Sequence, residues 1–138
     1  MRLHKDAKTD LIRRAPLFAR CSKRELARIS SIADEIDFRA GKVLTREGDR
    51  GREFFVLIEG AAEVRKSGRK INTMGDGDFF GEIALVSNVP RTATVTTTSP
   101  VRALVIRDTE FRTLLRESSE IQRKVLETLA DRLAPTVL

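Results

Sequence analysis

The residues with the clearest chemical potential lie between Gly81 and Arg91. Gly81 lets the backbone approach a partner closely and adopt φ values that other residues resist. After Glu82, the run 83–85 is expected to begin a short helical turn whose free N–H groups point back toward the glycine and favour an anion. Arg91 follows Pro90 at a loop end, where its guanidinium can meet a phosphate through two parallel hydrogen bonds. This segment therefore predicts a phosphate site.

Glu82 lies beside these donors and needs a different role. A carboxylate aimed at a phosphate would repel it, so we expect Glu82 to accept hydrogen bonds from neutral hydroxyls, as acidic residues do on ribose. Backbone donors, one arginine and one hydroxyl acceptor together predict a pocket for a phosphorylated sugar.

The elements that position this segment begin with a helical region. Lys8–Arg14 is compatible with one or two helical turns ended by Pro16. Ser22 followed by Glu25 has the spacing of a capping box, and apolar residues then recur at helical spacing to about residue 34.

Short β-rich runs follow from about residue 36, with glycines at most of the turns between them. The runs are Val43–Thr45, Phe54–Glu59, Ala61–Arg65, Ile71–Met74, Thr94–Thr98 and Val101–Ile106. Helical spacing returns after Asp108, a predicted N-cap, and Pro135 is expected to stop the last helix. The apolar stripe of that helix could pack on the strands, cover a ligand as a lid, or pair with a second subunit. It comprises Ile121, Val125, Leu129 and Leu133.

These patterns predict a mainly β fold with flanking helices. We expect an antiparallel β-barrel of the double-stranded β-helix (jelly-roll) type, with the N-terminal and C-terminal helices packed on it. The 138 residues are expected to form one domain, helical over 8–35, a barrel over 36–107 and helical again over 108–134.

Composition excludes several classes of function. The net charge of +6 is compatible with nucleic acid, an anionic membrane surface or a small anion, although a solvated basic surface is the commoner origin of such a charge. His4 is the single histidine, so neither a metal site nor cupin-type metal catalysis is expected. Cys21 is the single cysteine, which favours a reducing cytoplasm. No apolar run approaches the ~20 residues that span a bilayer.

The segment also resembles a known family. Residues 80–85 and 90–95 closely resemble the phosphate-binding cassette of cyclic-nucleotide-binding domains. Such domains occur in cAMP-receptor transcription factors, kinase regulatory subunits and cyclic-nucleotide-gated channels. Residues 47–49 and 54–60 are similar to the early strands of the family, and the likeness extends from about residue 17 to residue 133.

The resemblance implies a role for each matching residue. Around the tight turn at Gly81, Glu82 would accept from the ribose 2′-hydroxyl and Arg91 would pair with the cyclic phosphate. Backbone N–H groups would complete the phosphate cradle; they belong to Ile83, Ala84 and Thr92.

Two further positions match residues that contact the base in the family. Val64 corresponds to a strand residue that packs on the purine, with ordinary core packing as the alternative. Arg132 corresponds to an arginine that caps the base, with a solvated helix face as the alternative.

One position departs from the family pattern. Many members carry an acidic residue where Arg52 stands, and in some of them it orients the phosphate-binding arginine. Either the neighbouring Glu53 substitutes for it here, or Arg91 is held by other means.

Thr92 bears on the choice of nucleotide. Alanine at this place is common in cAMP-selective domains, whereas threonine is similar to members that accept cGMP, because its hydroxyl can accept from the guanine 2-amino group. We expect cAMP as the ligand, with cGMP as a close competitor and no other cofactor.

The expected function is that of a cytoplasmic sensor without catalytic residues, in which the ligand shifts the C-terminal helices. Its partners would be the nucleotide and an effector domain or protein, and a homodimer through the last helix stays open. The alternative is the sensor part of a DNA-binding regulator of the cAMP-receptor type. A helix-turn-helix would need about 50 to 70 further residues, and only residues 136–138 follow Pro135, so we expect no nucleic-acid binding by this chain alone.

Overall fold

The computed structural model describes residues 5–82 and 88–137, with side chains for residues 8–82 and 88–131. Within these residues, eight strands form two four-stranded antiparallel sheets, in the orders β1-β8-β3-β6 and β2-β7-β4-β5. The strands are β1 Asp34–Phe38, β2 Val43–Thr45, β3 Glu53–Glu59, β4 Ala62–Lys66, β5 Arg69–Met74, β6 Phe79–Phe80, β7 Thr94–Thr97 and β8 Val101–Arg107. The helices are α1 Lys5–Arg14, a 3₁₀ turn Pro16–Phe18, α2 Lys23–Ile32, α3 Asp108–Glu117 and α4 Ser119–Val137.

The predicted mainly β jelly-roll class with flanking helices is confirmed. The barrel is not closed, however, because no strand pairing joins the two sheets across the described residues. The strands therefore form a β-sandwich and not the expected barrel. A layer of helices covers the outer face of one sheet.

Strand β3 has apolar side chains on both faces, which explains its uninterrupted apolar run. Phe54, Val56 and Ile58 belong to a cluster shared with the helices. Phe55 and Leu57 point the other way, into the core between the two sheets. A strand buried on both faces is fixed in register, because a slip by one residue would exchange the two cores.

The helices of this layer are stabilised by hydrogen bonds at the start of α2 and by apolar packing along α4. The capping box predicted at Ser22 and Glu25 is confirmed, with both reciprocal hydrogen bonds present. The Glu25 carboxylate also accepts a hydrogen bond from the hydroxyl of Ser118, between α3 and α4. Of the C-terminal apolar stripe, Ile121 and Val125 are buried in the cluster that includes the helices and the outer face of β3.

Two predicted helix boundaries were wrong. Arg107, not Asp108, is the N-cap of α3, because Arg107 is still paired with Glu53 in the β8–β3 ladder and keeps an extended backbone. Pro135 does not stop the last helix, since α4 continues to Val137. A proline removes one backbone donor, and within the last turn that loss leaves the earlier hydrogen bonds intact.

Candidate ligand-binding site

Gly81 forms the turn that follows β6, and its position admits no other residue without strain. Its φ is +98°, a conformation that L side chains rarely adopt. A Cβ placed there would lie 2.7 Å from Nη1 of Arg91 and 2.9 Å from the carbonyl oxygen of Glu53. The glycine thus lets the backbone of the turn touch the guanidinium of Arg91 directly.

Arg91 is held in place by backbone carbonyl groups. Its Nη1 donates to the carbonyl oxygen of Gly81 at 3.1 Å, and its Nη2 donates to that of Glu53 at 2.6 Å. Arg91 is only 7% exposed, which is unusual for an arginine. A buried guanidinium fixed by two charge-assisted hydrogen bonds is a preorganised anion-binding group.

The loop between β2 and β3 secures the backbone of the same residue. The N–H of Arg91 donates to the carbonyl oxygen of Asp49 at 2.7 Å, and the N–H of Gly48 donates to the carbonyl oxygen of Arg91 at 2.8 Å. Together with the Glu53 carbonyl, three hydrogen bonds connect Arg91 to residues 48–53.

Two carboxylates shape the electrostatics around Arg91. Burial lowers the pKa of its guanidinium below the ordinary value, while the negative charges of Glu53 and Glu82 act in the opposite direction. Glu82 is fully buried directly after Gly81. The two negative charges therefore favour the charged form of the guanidinium, which burial disfavours.

The structure also answers how Arg91 is held without an acidic residue at position 52. Arg52 is exposed, and Glu53 holds Arg91 with its main-chain carbonyl and by the proximity of its charge. Sequence patterns could not reveal this contact, because a backbone carbonyl is available at every residue. Gly48, in the same loop, has φ +89°, so a glycine at this position signals a tight turn but not the carbonyl group that holds Arg91.

The remaining predicted site residues are distributed as follows. Thr92 is exposed immediately after Arg91. Val64 is 6% exposed in the core between the sheets, where it is paired with Val95 and Asn72. Ile83 and Ala84 lie outside the described residues, and Arg132 belongs to α4 by its backbone, while its side chain lies outside the described part.

Other classes of site leave no trace in the described part of the chain. Residues 8–82 and 88–131 contain no group of three or more metal-ligating side chains. Within the same described portion, no helix has the length and apolar character to cross a membrane.

Comparisons with known proteins identify the family. The protein-family model for the cyclic nucleotide-binding domain matches residues 35–118, more than half of the chain. The chain therefore belongs to the cyclic nucleotide-binding domain family. The family resemblance of the sequence is confirmed.

Two relatives illustrate the proteins in which such a domain occurs. The chain is 36% identical over 126 residues to the cAMP-dependent protein kinase regulatory subunit of Mycosarcoma maydis, covering 84% of this chain and 24% of the relative. It is 32% identical over 122 residues to a cyclic nucleotide-gated potassium channel of Rhizobium etli, covering 88% of this chain and 34% of the relative. The chain thus spans about a quarter to a third of the length of these relatives.

Solved structures share the fold along nearly the whole chain. A structure described as Sp-2Cl-cAMPS bound to PKAR CBD2 superposes with a TM-score of 0.81 at 25% identity, covering 97% of this chain and 92% of that one. The catabolite activator protein of Thermus thermophilus gives a TM-score of 0.78 at 22% identity, covering 88% of this chain and 59% of that one. The second likeness concerns the fold alone.

Proposed function

We propose that this chain is a sensor module that binds a 3′,5′-cyclic nucleotide, with cAMP as its ligand, at the segment from Gly81 to Thr92. The observation that carries the proposal is the state of Arg91, which is 7% exposed and fixed by the carbonyl oxygens of Gly81 and Glu53. A guanidinium already oriented by the protein can receive a phosphate without ordering a long side chain.

The donors of Arg91 suit a cyclic phosphate. A guanidinium has five N–H groups, and two of them are used by the Gly81 and Glu53 carbonyls. The others serve the phosphate, together with the backbone N–H groups of Ile83, Ala84 and Thr92. Glu82, buried next to the turn, accepts from the ribose 2′-hydroxyl.

In this proposal, the base of the nucleotide lies between the edge of the two sheets and the last helix. Val64 supplies apolar contact to the purine, and Arg132 caps it from α4. The relatives favour cAMP, since several are named as cAMP-dependent kinase regulatory subunits. The exposed Thr92 makes cGMP a competitor, because its hydroxyl can meet the guanine 2-amino group.

A contact pathway leads from the site to the C-terminal helices. Glu53, whose carbonyl holds Arg91, precedes Phe54, and the ring of Phe54 stacks on that of Phe111 in α3 with centroids 4.2 Å apart. A ligand that moves Arg91 would strain this stack. We infer that binding shifts α3 and α4 between two positions, which an effector domain or protein partner senses.

The module is proposed to act without catalysis as one domain, in which the helices at both ends of the chain flank the eight described strands. A cytoplasmic location and a homodimer through α4 are compatible with this role. Nucleic-acid binding is not part of the proposed function of this chain.

Hydrogen exchange with and without saturating cAMP tests both parts of the proposal. We expect slower exchange in residues 79–97 and a change of either sign in residues 111–131. No change anywhere would refute nucleotide binding. Protection limited to residues 79–97 would refute the helix shift and leave binding intact.

A further inference from the structure

Three arginines line an open cavity next to Glu53. The cavity has a volume of about 340 Å³ and is lined by Arg50, Arg52, Glu53, Arg107 and Asp108. Its lining includes none of Gly81, Glu82 and Arg91. We call it the arginine cavity.

Within the described part of the chain, the three guanidiniums of the arginine cavity lack partners, whereas its two carboxylates have other cations nearby. Among the described residues, no hydrogen bond or ion pair engages the side chain of Arg50, Arg52 or Arg107. By contrast, Asp108 is 3.5 Å from Nη1 of Arg112. The charge of Glu53 acts on Arg91. The cavity therefore has an excess of positive charge.

Main-chain hydrogen bonds hold the cavity together. The N–H of Asp108 donates to the carbonyl oxygen of Arg52 at 2.8 Å, which ties the loop before β3 to the start of α3. Arg107 pairs with Glu53 in the β8–β3 ladder. The backbones of Arg52 and Arg107 are thus held next to each other, so an incoming anion finds two of the three arginines already brought together.

We propose that the arginine cavity is a binding site for a phosphate monoester dianion, separate from the nucleotide site. Three planar forks around a concave space can each give two parallel hydrogen bonds to phosphate oxygens. A phosphate monoester offers three terminal oxygens and about two negative charges, so it can engage more than one fork at once. A carboxylate, with two oxygens and one charge, is the poorer match.

The location of the cavity also predicts coupling to Arg91, and this part alone rests on the proposed function. Residues 48–53 hold Arg91 through three hydrogen bonds, and the same segment supplies Arg50 and Arg52 to the cavity. An anion that draws these two side chains inward therefore acts on the segment that positions Arg91. By linkage, phosphate in the cavity and nucleotide at Arg91 alter each other's affinity by the same factor.

An amide NMR titration with inorganic phosphate at about pH 8 and constant ionic strength tests the anion site. We expect saturable shifts in residues 50–53 and 107–109. The double variant Arg50→Ala with Arg52→Ala should weaken binding at least about tenfold, because charge-assisted hydrogen bonds are lost. The control double variant Arg20→Ala with Arg39→Ala changes the net charge equally, outside the cavity, and should leave binding unchanged.

Three results would overturn the anion site: shifts that never saturate, equal weakening in both double variants, or acetate binding as tightly as phosphate. Phenyl phosphate in the same titration tests the monoester itself and should bind at least as well as inorganic phosphate.

Repeating the phosphate titration with saturating cAMP separates this inference from the proposed function. Shifts in residues 107–109 should persist, with a changed midpoint. Phosphate binding without any cAMP binding would refute the proposed function and leave the anion site standing. If the phosphate-induced shifts in residues 107–109 disappear when cAMP is bound, phosphate had occupied the nucleotide site. That result would refute an anion site in the arginine cavity.

Discussion

Replacing Arg91 with alanine should remove most of the nucleotide affinity. The guanidinium is buried and held by two carbonyl oxygens, at 3.1 Å from Gly81 and 2.6 Å from Glu53. A hydrogen bond to a charged group contributes about 1.5 to 3 kcal/mol. At about 1.4 kcal/mol for each factor of ten, the loss is about 10- to 150-fold in Kd. Isothermal titration calorimetry with cAMP measures it.

Two further variants make this test specific. Arg39→Ala removes one exposed positive charge elsewhere and should leave the affinity for cAMP unchanged. Arg91→Lys keeps the charge but replaces the planar fork with a point charge, so its affinity should lie between wild type and alanine. Because Arg91→Ala also leaves two carbonyl oxygens without their donor, circular dichroism must verify that the variant is folded. An unchanged cAMP affinity in a folded Arg91→Ala protein would refute the site.

Four other predictions concern the turn at Gly81, the contacts to the nucleotide and the buried Cys21. Gly81→Ala should lower the free energy of unfolding by about 1 to 3 kcal/mol in chemical denaturation, because its Cβ would meet Arg91 and its φ is +98°; an unchanged stability would contradict the described turn. Glu82→Gln should weaken the binding of cAMP more than the binding of 2′-deoxy-cAMP. A cycle that combines the Glu82 substitution with removal of the 2′-hydroxyl and gives near-zero coupling would contradict contact between the two groups. Thr92→Ala should weaken cGMP about fivefold and barely affect cAMP, since one hydrogen bond of about 1 kcal/mol is lost; equal weakening of both would mean that Thr92 does not contact the base. Burial is the largest cause that raises the pKa of the Cys21 thiol to about 12, so the thiolate is scarce at about pH 8. Iodoacetamide should therefore react with Cys21 far more slowly than with the thiol of glutathione. Rapid labelling of the folded protein would contradict the buried position.

Local signals allowed much of the fold to be predicted from the sequence. The spacing of Ser22 and Glu25 predicts a capping box because both partners lie within one turn, and the structure contains it. The apolar run in β3 and the glycines around it predict a buried strand. Strands β1 and β6 were not predicted. Strand β1 contains three acidic residues, and β6 spans only two residues, so neither has a clear alternating pattern.

The candidate site could be located but not assembled from the sequence. Gly81, Glu82 and Arg91 were singled out by their types and their spacing. Glu53 was one of two alternatives for holding Arg91, but its use of a main-chain oxygen, 38 residues away along the chain, could not be found in this way. Residue type signals which side chains are available, whereas main-chain contacts depend on how the strands and loops come together.

The end of α4 shows the same limit for a different reason. Proline normally marks the end of a helix because it lacks the N–H and disfavours helical conformation in the residue before it. That rule predicted an end at Pro135, yet the backbone remains helical to Val137. The rule describes a preference of a single residue, and at Pro135 the loss falls within the last turn, where the earlier hydrogen bonds of the helix stay intact.

The most direct test of the central claim is calorimetric titration with cAMP, followed by displacement of the bound cAMP with 5′-AMP. The two nucleotides share base and ribose and differ in the phosphate, which is a singly charged cyclic diester in one and a monoester dianion in the other. The displacement is carried out in the Arg50→Ala, Arg52→Ala double variant as well, so that any effect of 5′-AMP bound in the arginine cavity is separated from competition at the nucleotide site. We predict a Kd for cAMP of about 1 μM or tighter. The Kd for 5′-AMP obtained from the displacement should be about a hundredfold larger than that for cAMP. Displacement at equal concentrations, or no binding of cAMP, would contradict the assignment of Arg91 and its turn to a cyclic phosphate.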